Sequence, residues 1–185
     1  MLHGMARRFA APWRQVPPQA GRCFVVTGAS AGLGLALTEA LVRAGAHVVL
    51  AVRDPEKGRR AAAALGAGAG STQVRRLDVA DLSSVRAFAA GLAADGVEVD
   101  ALVANAGVMA VPFSRSVDGF ELQLATNHLG HFALANLLLP RLRDRVVVVS
   151  SQAHRHGELD PDDLDWTRRG YRPYAAYAAS KLANL

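Results

Sequence analysis

The sequence predicts a doubly wound α/β fold, a parallel β-sheet with helices packed on both faces. Three observations carry that expectation. Short apolar runs alternate with longer amphipathic segments, the runs are rich in β-branched residues without polar alternation, and a glycine cluster follows the first run. A strand buried on both faces reads as an unbroken apolar run, and strands separated by helix-period segments pair in parallel. Alternation sustained along the chain covers both sides of the sheet with helices.

The first strand is expected in "CFVVTG" from Cys23, followed by the helix "LGLALTEALVRAG" from Leu33. "HVVLAVR" from His47 supplies the second strand and "PEKGRRAAAAL" from Pro55 the second helix. Asp54 before Pro55 combines an N-cap side chain with a proline at the first helical position. The low-complexity patch "AAAALGAGAGSTQ" reads as a helix end running into a loop. "QVRRLDV" from Gln73 and "SSVRAFAAGLAA" from Ser83 make the third strand and helix, and "DALVANAG" from Asp100 the fourth strand. A long helix is expected in "DGFELQLATNHLGHFALANLLLP" from Asp118, with Glu121 three residues on as a capping-box variant. "RVVVVSS" from Arg145 closes the pattern with a further strand. Gly45 and Gly96 stand where the first and third helices should stop. Residues 1–20 read as a lead-in and residues 21–185 as one nucleotide-binding domain.

Composition narrows the function. At 185 residues, 51% hydrophobic and 20% charged, the chain has the profile of a single globular domain. The formal charge of +5 comes from scattered pairs such as Arg7-Arg8, Arg59-Arg60, Arg75-Arg76 and Arg168-Arg169, with no basic block and no interleaved aromatics. They read as solvated faces, and no nucleic-acid partner is expected. The proline-interrupted start has no apolar stretch of signal or membrane length, so a cytoplasmic protein without membrane contact is expected. The single cysteine, Cys23, lies in an apolar run and reads as core, in a reducing compartment. His128 and His131, and His154 and His156, lack a supporting ligand pattern, and no metal site is expected.

The turn "TGASAGLG" holds Gly28, Gly32 and Gly34, with Ser30 and Leu33 between them, where a strand passes into a helix. Glycines there allow a tight turn and bring backbone N–H groups against a pyrophosphate, whose charge the helix N-terminus favours. The spacing is G-x-x-x-G-x-G, and a Gly-rich turn can also be purely structural. At the end of the second strand, where an acid would bind the ribose 2′-hydroxyl of NAD, stands Val52, and Arg53 follows with a guanidinium suited to a 2′-phosphate. NADP is therefore expected over NAD, with Asp54 assigned to the helix cap. The competing reading of Arg53 is a solvated loop residue. Near the end, Tyr177 and Lys181 stand four apart in "YAASK", on one face of a helix.

In one order the chain carries "TGASAGLG", "LDVADL", "NAG", "NHLGHF", "VVVVSS" and "YAASK". In this ordered set it resembles the short-chain dehydrogenase/reductase family, from about Trp13 to the last residue, and a Rossmann-type sheet is implied. The lead-in "WRQVPPQAGR" and the long stretch between the serine and the tyrosine further resemble its retinol-dehydrogenase-like branch. The resemblance implies Tyr177 as general acid/base and Lys181 as its cationic neighbour, which also holds the nicotinamide ribose hydroxyls. It implies Ser151 as the hydrogen-bond donor to the substrate oxygen, with Ser150 the alternative if the strand end lies one residue earlier. Asn127 would complete a water-mediated proton relay, and alone would read as a helix asparagine bonded to a backbone carbonyl. Asp78 and the Val79 backbone would contact adenine, while Asn105, Ala106 and Gly107 would line the cofactor. The implied activity is hydride transfer between NADP(H) and a small-molecule alcohol or carbonyl compound, with a homo-oligomer left open. Members of the family continue past the tyrosine helix with two further strands, whereas this chain stops at Leu185. An open sheet edge is therefore expected, and the alternative function is a catalytically inactive nucleotide-binding fragment.

Overall fold

The computed structural model describes residues 16–66 and 68–185, so the Arg7-Arg8 pair and most of the lead-in lie outside the described residues. Five parallel strands form one sheet: β1 (Cys23–Thr27), β2 (His47–Val52), β3 (Ser71–Arg76), β4 (Val99–Ala104) and β5 (Leu142–Val148), in the order β3-β2-β1-β4-β5. The register runs from Cys23 opposite His47 to Thr27 opposite Ala51, and Val25 lies opposite Leu102. Strand order reverses between β1 and β4. In open α/β sheets such a reversal opens a crevice beyond the carboxyl ends of the two strands.

Two apolar layers hold the sheet, each built from alternate strand residues. Val25, Val49 and Leu102 face one side, against Val85, Phe88 and Leu92 of α3 (Leu82–Ala94) and Leu134 and Leu138 of α5 (Gly130–Leu138). Phe24, Val26, Val48, Leu50 and Val103 face the other, against Leu41 and Val42 of α1 (Gly32–Arg43) and Ala62 of α2 (Pro55–Ala64). Each fully buried Val or Leu contributes roughly 1.5–3 kcal/mol, so neither layer is dispensable. This is the doubly wound Rossmann-type arrangement expected. β5 is one edge of the sheet, and there Val147 and Val148 are exposed. Its neighbours Val99, Leu102 and Val103 on β4 are buried.

The local signals act as expected at three helix ends. Asp54 accepts from the Lys57 amide with Pro55 at the first position of α2. Gly45 and Gly96 adopt φ of 95° and 66° just past α1 and α3. At the start of α3, Asp81, which sequence reasoning passed over, accepts from the Ser83 and Ser84 amides. The fourth signal fails. The helix expected from Asp118 begins at α4 (Leu122–Leu124), because Gly119 at φ 89° turns the chain out of helical conformation. Glu121 is the true cap, accepting from the Gln123 and Leu124 amides, while Asp118 accepts from the Leu82 amide instead. α4 continues through a π turn at Ala125–Leu129 into α5, and α6 (Pro173–Leu182) carries Tyr177 and Lys181.

The long segment before α6 is organised by Asp163, whose buried carboxylate accepts from the Thr167, Arg168 and Arg169 amides. Arg169 lies over the Trp166 ring at 3.9 Å, so the Arg168-Arg169 pair is only partly the solvated feature expected.

Candidate active site

A cavity of about 410 Å³ opens at the strand-order reversal, walled by the ends of β1, β2 and β4 and the turns after them. Gly28, Ser30, Gly32, Arg53, Asp78, Val79, Asn105, Ala106 and Gly107 all lie on its wall. Leu33 is 77% exposed and, with Gly34, stands off that wall. Gly34 acts by packing: a Cβ there would lie 2.5 Å from the Gly28 carbonyl oxygen and 2.6 Å from Asn105 Nδ2. Gly28 and Gly32 have φ of 67° and 54°, which let the turn fold back on β1.

The first turn of α1 is open to an anion. Ala31 occupies the cap position without a side-chain acceptor, and no acidic residue stands in the first turn. Backbone N–H groups left free at a helix start, beside the positive end of the helix dipole, form a phosphate cradle. Gly32 meets no atom within 4 Å of a would-be Cβ, so the cradle faces open space. The wall therefore fits a dinucleotide. Arg53 is exposed and, among the described residues, makes no ion pair, whereas the Asp54 carboxylate is committed to its cap. Lys57, which sequence reasoning passed over, lies on the same wall one turn into α2.

Thr27 ties this wall to the helix behind it. Its hydroxyl accepts from the Asn105 and Ala106 amides, both at 2.9 Å, and its single proton then goes to His131 Nε2 at 2.8 Å. The other ring nitrogen of His131 faces the Asn127 carbonyl at 3.4 Å. Burial pushes the His131 imidazolium down to about 4, so the neutral ring is the form held. His131 is thus a bonded core residue.

Two of the four proton-handling candidates, Asn127 and Lys181, lie behind Gly107. A Cβ on Gly107 would lie 3.0 Å from Asn127 Oδ1 and 3.6 Å from Lys181 Nζ. Asn127 is buried; its side chain accepts from the Val108 amide at 2.8 Å and donates to the Val108 carbonyl at 2.9 Å and to Ser180 Oγ at 2.8 Å. Lys181 is 5% exposed and donates to the Val149 carbonyl at 2.9 Å, and burial lowers its pKa. Its ammonium lies 5.9 Å from the centre of the Tyr177 ring, and Tyr177 is half-buried. The two adjacent serines differ. Ser150 donates to the Lys181 carbonyl at 2.7 Å, which commits its hydroxyl. Ser151 Oγ accepts from the Ala153 amide at 3.2 Å, and among the described residues its own proton has no acceptor.

A family model described as short chain dehydrogenase matches residues 22–160, three quarters of the chain. The chain belongs to the short-chain dehydrogenase family. Within it, human retinol dehydrogenase 13 is 44% identical over 169 residues, covering 88% of this chain and 51% of the relative. Mouse polyprenol dehydrogenase is 44% identical over 194 residues, covering 98% and 58%. These matches place the chain in the retinol-dehydrogenase-like branch, and it spans about half the length of the curated relatives it matches. Among solved structures, an uncharacterized protein from Mycobacterium paratuberculosis is 55% identical with a TM-score of 0.85, over 92% of this chain and 61% of that one. A metagenomic short-chain oxidoreductase in complex with NADP is 31% identical with a TM-score of 0.70, over 89% and 72%. No helix among the described residues is long and apolar enough to cross a membrane.

Proposed function

We propose that this short-chain dehydrogenase chain carries the cofactor-binding and proton-handling half of an NADP(H)-dependent oxidoreductase acting on an alcohol/carbonyl pair. The observation that carries the proposal is the placement of Asn127 and Lys181 directly behind Gly107, a wall residue of the dinucleotide cavity. The Ala31–Gly34 turn would hold the pyrophosphate, Asp78 and Val79 the adenine side, and Gly107 and Lys181 the nicotinamide ribose. The bound cofactor supplies the hydride acceptor or donor. The Tyr177 hydroxyl takes the alcohol proton in oxidation and returns it to the carbonyl oxygen in reduction. Ser151, with an uncommitted proton, donates to the same oxygen and favours charge developing there. Lys181, buried and, among the described residues, without a carboxylate partner, keeps a cation beside the phenol. Asn127 fixes the Val108 backbone, and its carbonyl anchors the relay.

Preference for NADP rests on Arg53 and Lys57, two cations on the wall at the end of β2, and on the commitment of Asp54 elsewhere. Exposed Met109 and Phe113, on the loop after Gly107, favour an apolar substrate, and the retinol and polyprenol dehydrogenase relatives agree with that class. Titration of the chain with NADPH and NADH, followed by nicotinamide fluorescence and thermal unfolding, tests the reading. NADPH should bind tighter, and Arg53→Glu should weaken it by about tenfold to a hundredfold, the worth of a lost charge-assisted bond. Equal or tighter NADH binding overturns the NADP assignment. NADPH binding without turnover of any aldehyde or alcohol identifies the chain as a nucleotide-binding fragment.

A further inference from the structure

A buried polar network outside the cavity wall joins the starts of two helices. Gln123 is 0% exposed, yet each of its polar groups is used. Its Oε1 accepts from the Ala110 amide at 2.8 Å, and its Nε2 donates to the Tyr171 hydroxyl at 2.7 Å and to the Pro173 carbonyl at 2.9 Å. The Tyr171 hydroxyl lies 3.0 Å from Glu121 Oε1 and 3.2 Å from the Val111 carbonyl, and Glu121 is itself 0% exposed at the helix cap. Glu121 also donates its amide to Asp165 at 2.8 Å.

These contacts reach the proposed chemistry from behind. Pro173 opens α6, and its carbonyl is the one that α-helical pairing assigns to the Tyr177 amide. Ala110 has φ 52°, a conformation a non-glycine residue keeps only when its surroundings impose it. It sits between Met109 and Phe113 on the loop assigned above to the substrate side. Asn127, on the next turn of the same helix, grips Val108 and Ser180. One helix therefore holds the loop at 108 and 110 and α6 at 173 and 180. An apolar side chain of Gln123's size would pack without the desolvation cost of a buried amide, so geometry is what the amide contributes.

We propose that Gln123, with Tyr171 and Glu121, is a positioning residue that fixes the substrate-side loop against the Tyr177 helix. The proposal rests on the oxidoreductase reading above. Gln123→Met and Tyr171→Phe keep the packing and remove the hydrogen bonds. With decanal and NADPH, Gln123→Met should lower kcat by about tenfold to a hundredfold, the cost of a displaced reacting group, and raise KM. Tyr171→Phe should act in the same direction. The NADPH dissociation constant should stay within about twofold, since the two changes lie off the cavity wall. In NMR spectra, the Tyr177 ring signals, assigned by their loss in Tyr177→Phe, should shift in Gln123→Met while the Gly28 and Gly32 amides stay. Unchanged kcat, KM and Tyr177 signals overturn the proposal, as does a parallel loss of NADPH affinity and kcat with falling melting temperature. If the unaltered chain reduces no aldehyde, the oxidoreductase reading fails, and the Tyr177 signals alone then decide the positioning claim.

Discussion

Lowering the pH from 7 to 4 should destabilise the protein through His131. The ring is 4% exposed, and its Nε2 takes the Thr27 hydroxyl proton, so the core holds it neutral. Burial, reinforced by the nearby Lys181 and His128, drops it from 6.5 to about 4. Between those values the unfolded chain binds a proton that the folded chain refuses, so stability falls as the pH falls. The gap of roughly 2.5 pH units corresponds to about 3 kcal/mol, most of it lost by pH 4. Carboxylates enter only at the acid end of this window. Asp54 and Asp81, held low by hydrogen bonds from the Lys57 amide and the Ser83 hydroxyl, begin to lose their contributions as the pH nears the ordinary carboxylate value, and comparison with a His131 variant cancels that shared loss. The assay is urea unfolding of the unaltered chain and His131→Phe at several pH values, compared at constant m. The variant should begin about 1 kcal/mol less stable at pH 7, having lost one hydrogen bond, and should lack the His131 part of the slope. Parallel pH profiles for the two proteins would refute the buried-neutral assignment.

Other perturbations separate fold from chemistry. Thr27→Val keeps the shape but leaves His131 Nε2 and the Ala106 amide without a partner, and should cost about 2–3 kcal/mol in urea unfolding. Gly34→Ala should impair both cooperative unfolding and NADPH binding, because its Cβ would overlap the Gly28 carbonyl and the Asn105 amide; normal binding in that variant would show that the turn has room to shift. Lys181→Met should abolish turnover while melting at the same temperature or higher, since it removes a buried charge whose main partner is the Val149 carbonyl. Ser151→Ala should lower turnover more than Ser150→Ala, and Ser150→Ala should act mainly on stability by freeing the Lys181 carbonyl.

What the sequence shows of this fold follows from where each signal originates. β1, β2 and β4 were legible because their β-branched runs report burial on both faces, and the glycine turn because its φ values admit few other residues. The cap at Asp118 misled because Glu121 carries the same chemistry three residues on, and only the turn at Gly119 decides between them. The choice between Ser150 and Ser151 stayed open for the same reason: chemistry is equal, and a single contact to the Lys181 carbonyl separates them. Gln123 and Tyr171 gave no signal, since their partnership crosses 48 residues and each looks ordinary alone.

The π turn is the instructive case. A steady 3.6-residue period from Leu122 to Leu138 would be read as one regular helix, but Ala125–Leu129 is wider by one residue per turn. Just past it the helix meets another part of the chain: a Cβ on Gly130 would stand 1.8 Å from the Val79 carbonyl, so the helix rests directly on the turn after β3. The widened turn leaves the Asn127 carbonyl facing the His131 ring, in addition to carrying the Asn127 side chain toward Val108. The turn at Val79, proposed above to hold adenine, and the Asn127 carbonyl, proposed above to anchor the relay, therefore lie at the two sides of one close packing contact. Gly130→Ala should disturb both ends at once, weakening NADPH binding and slowing turnover together, where Gln123→Met slows turnover alone.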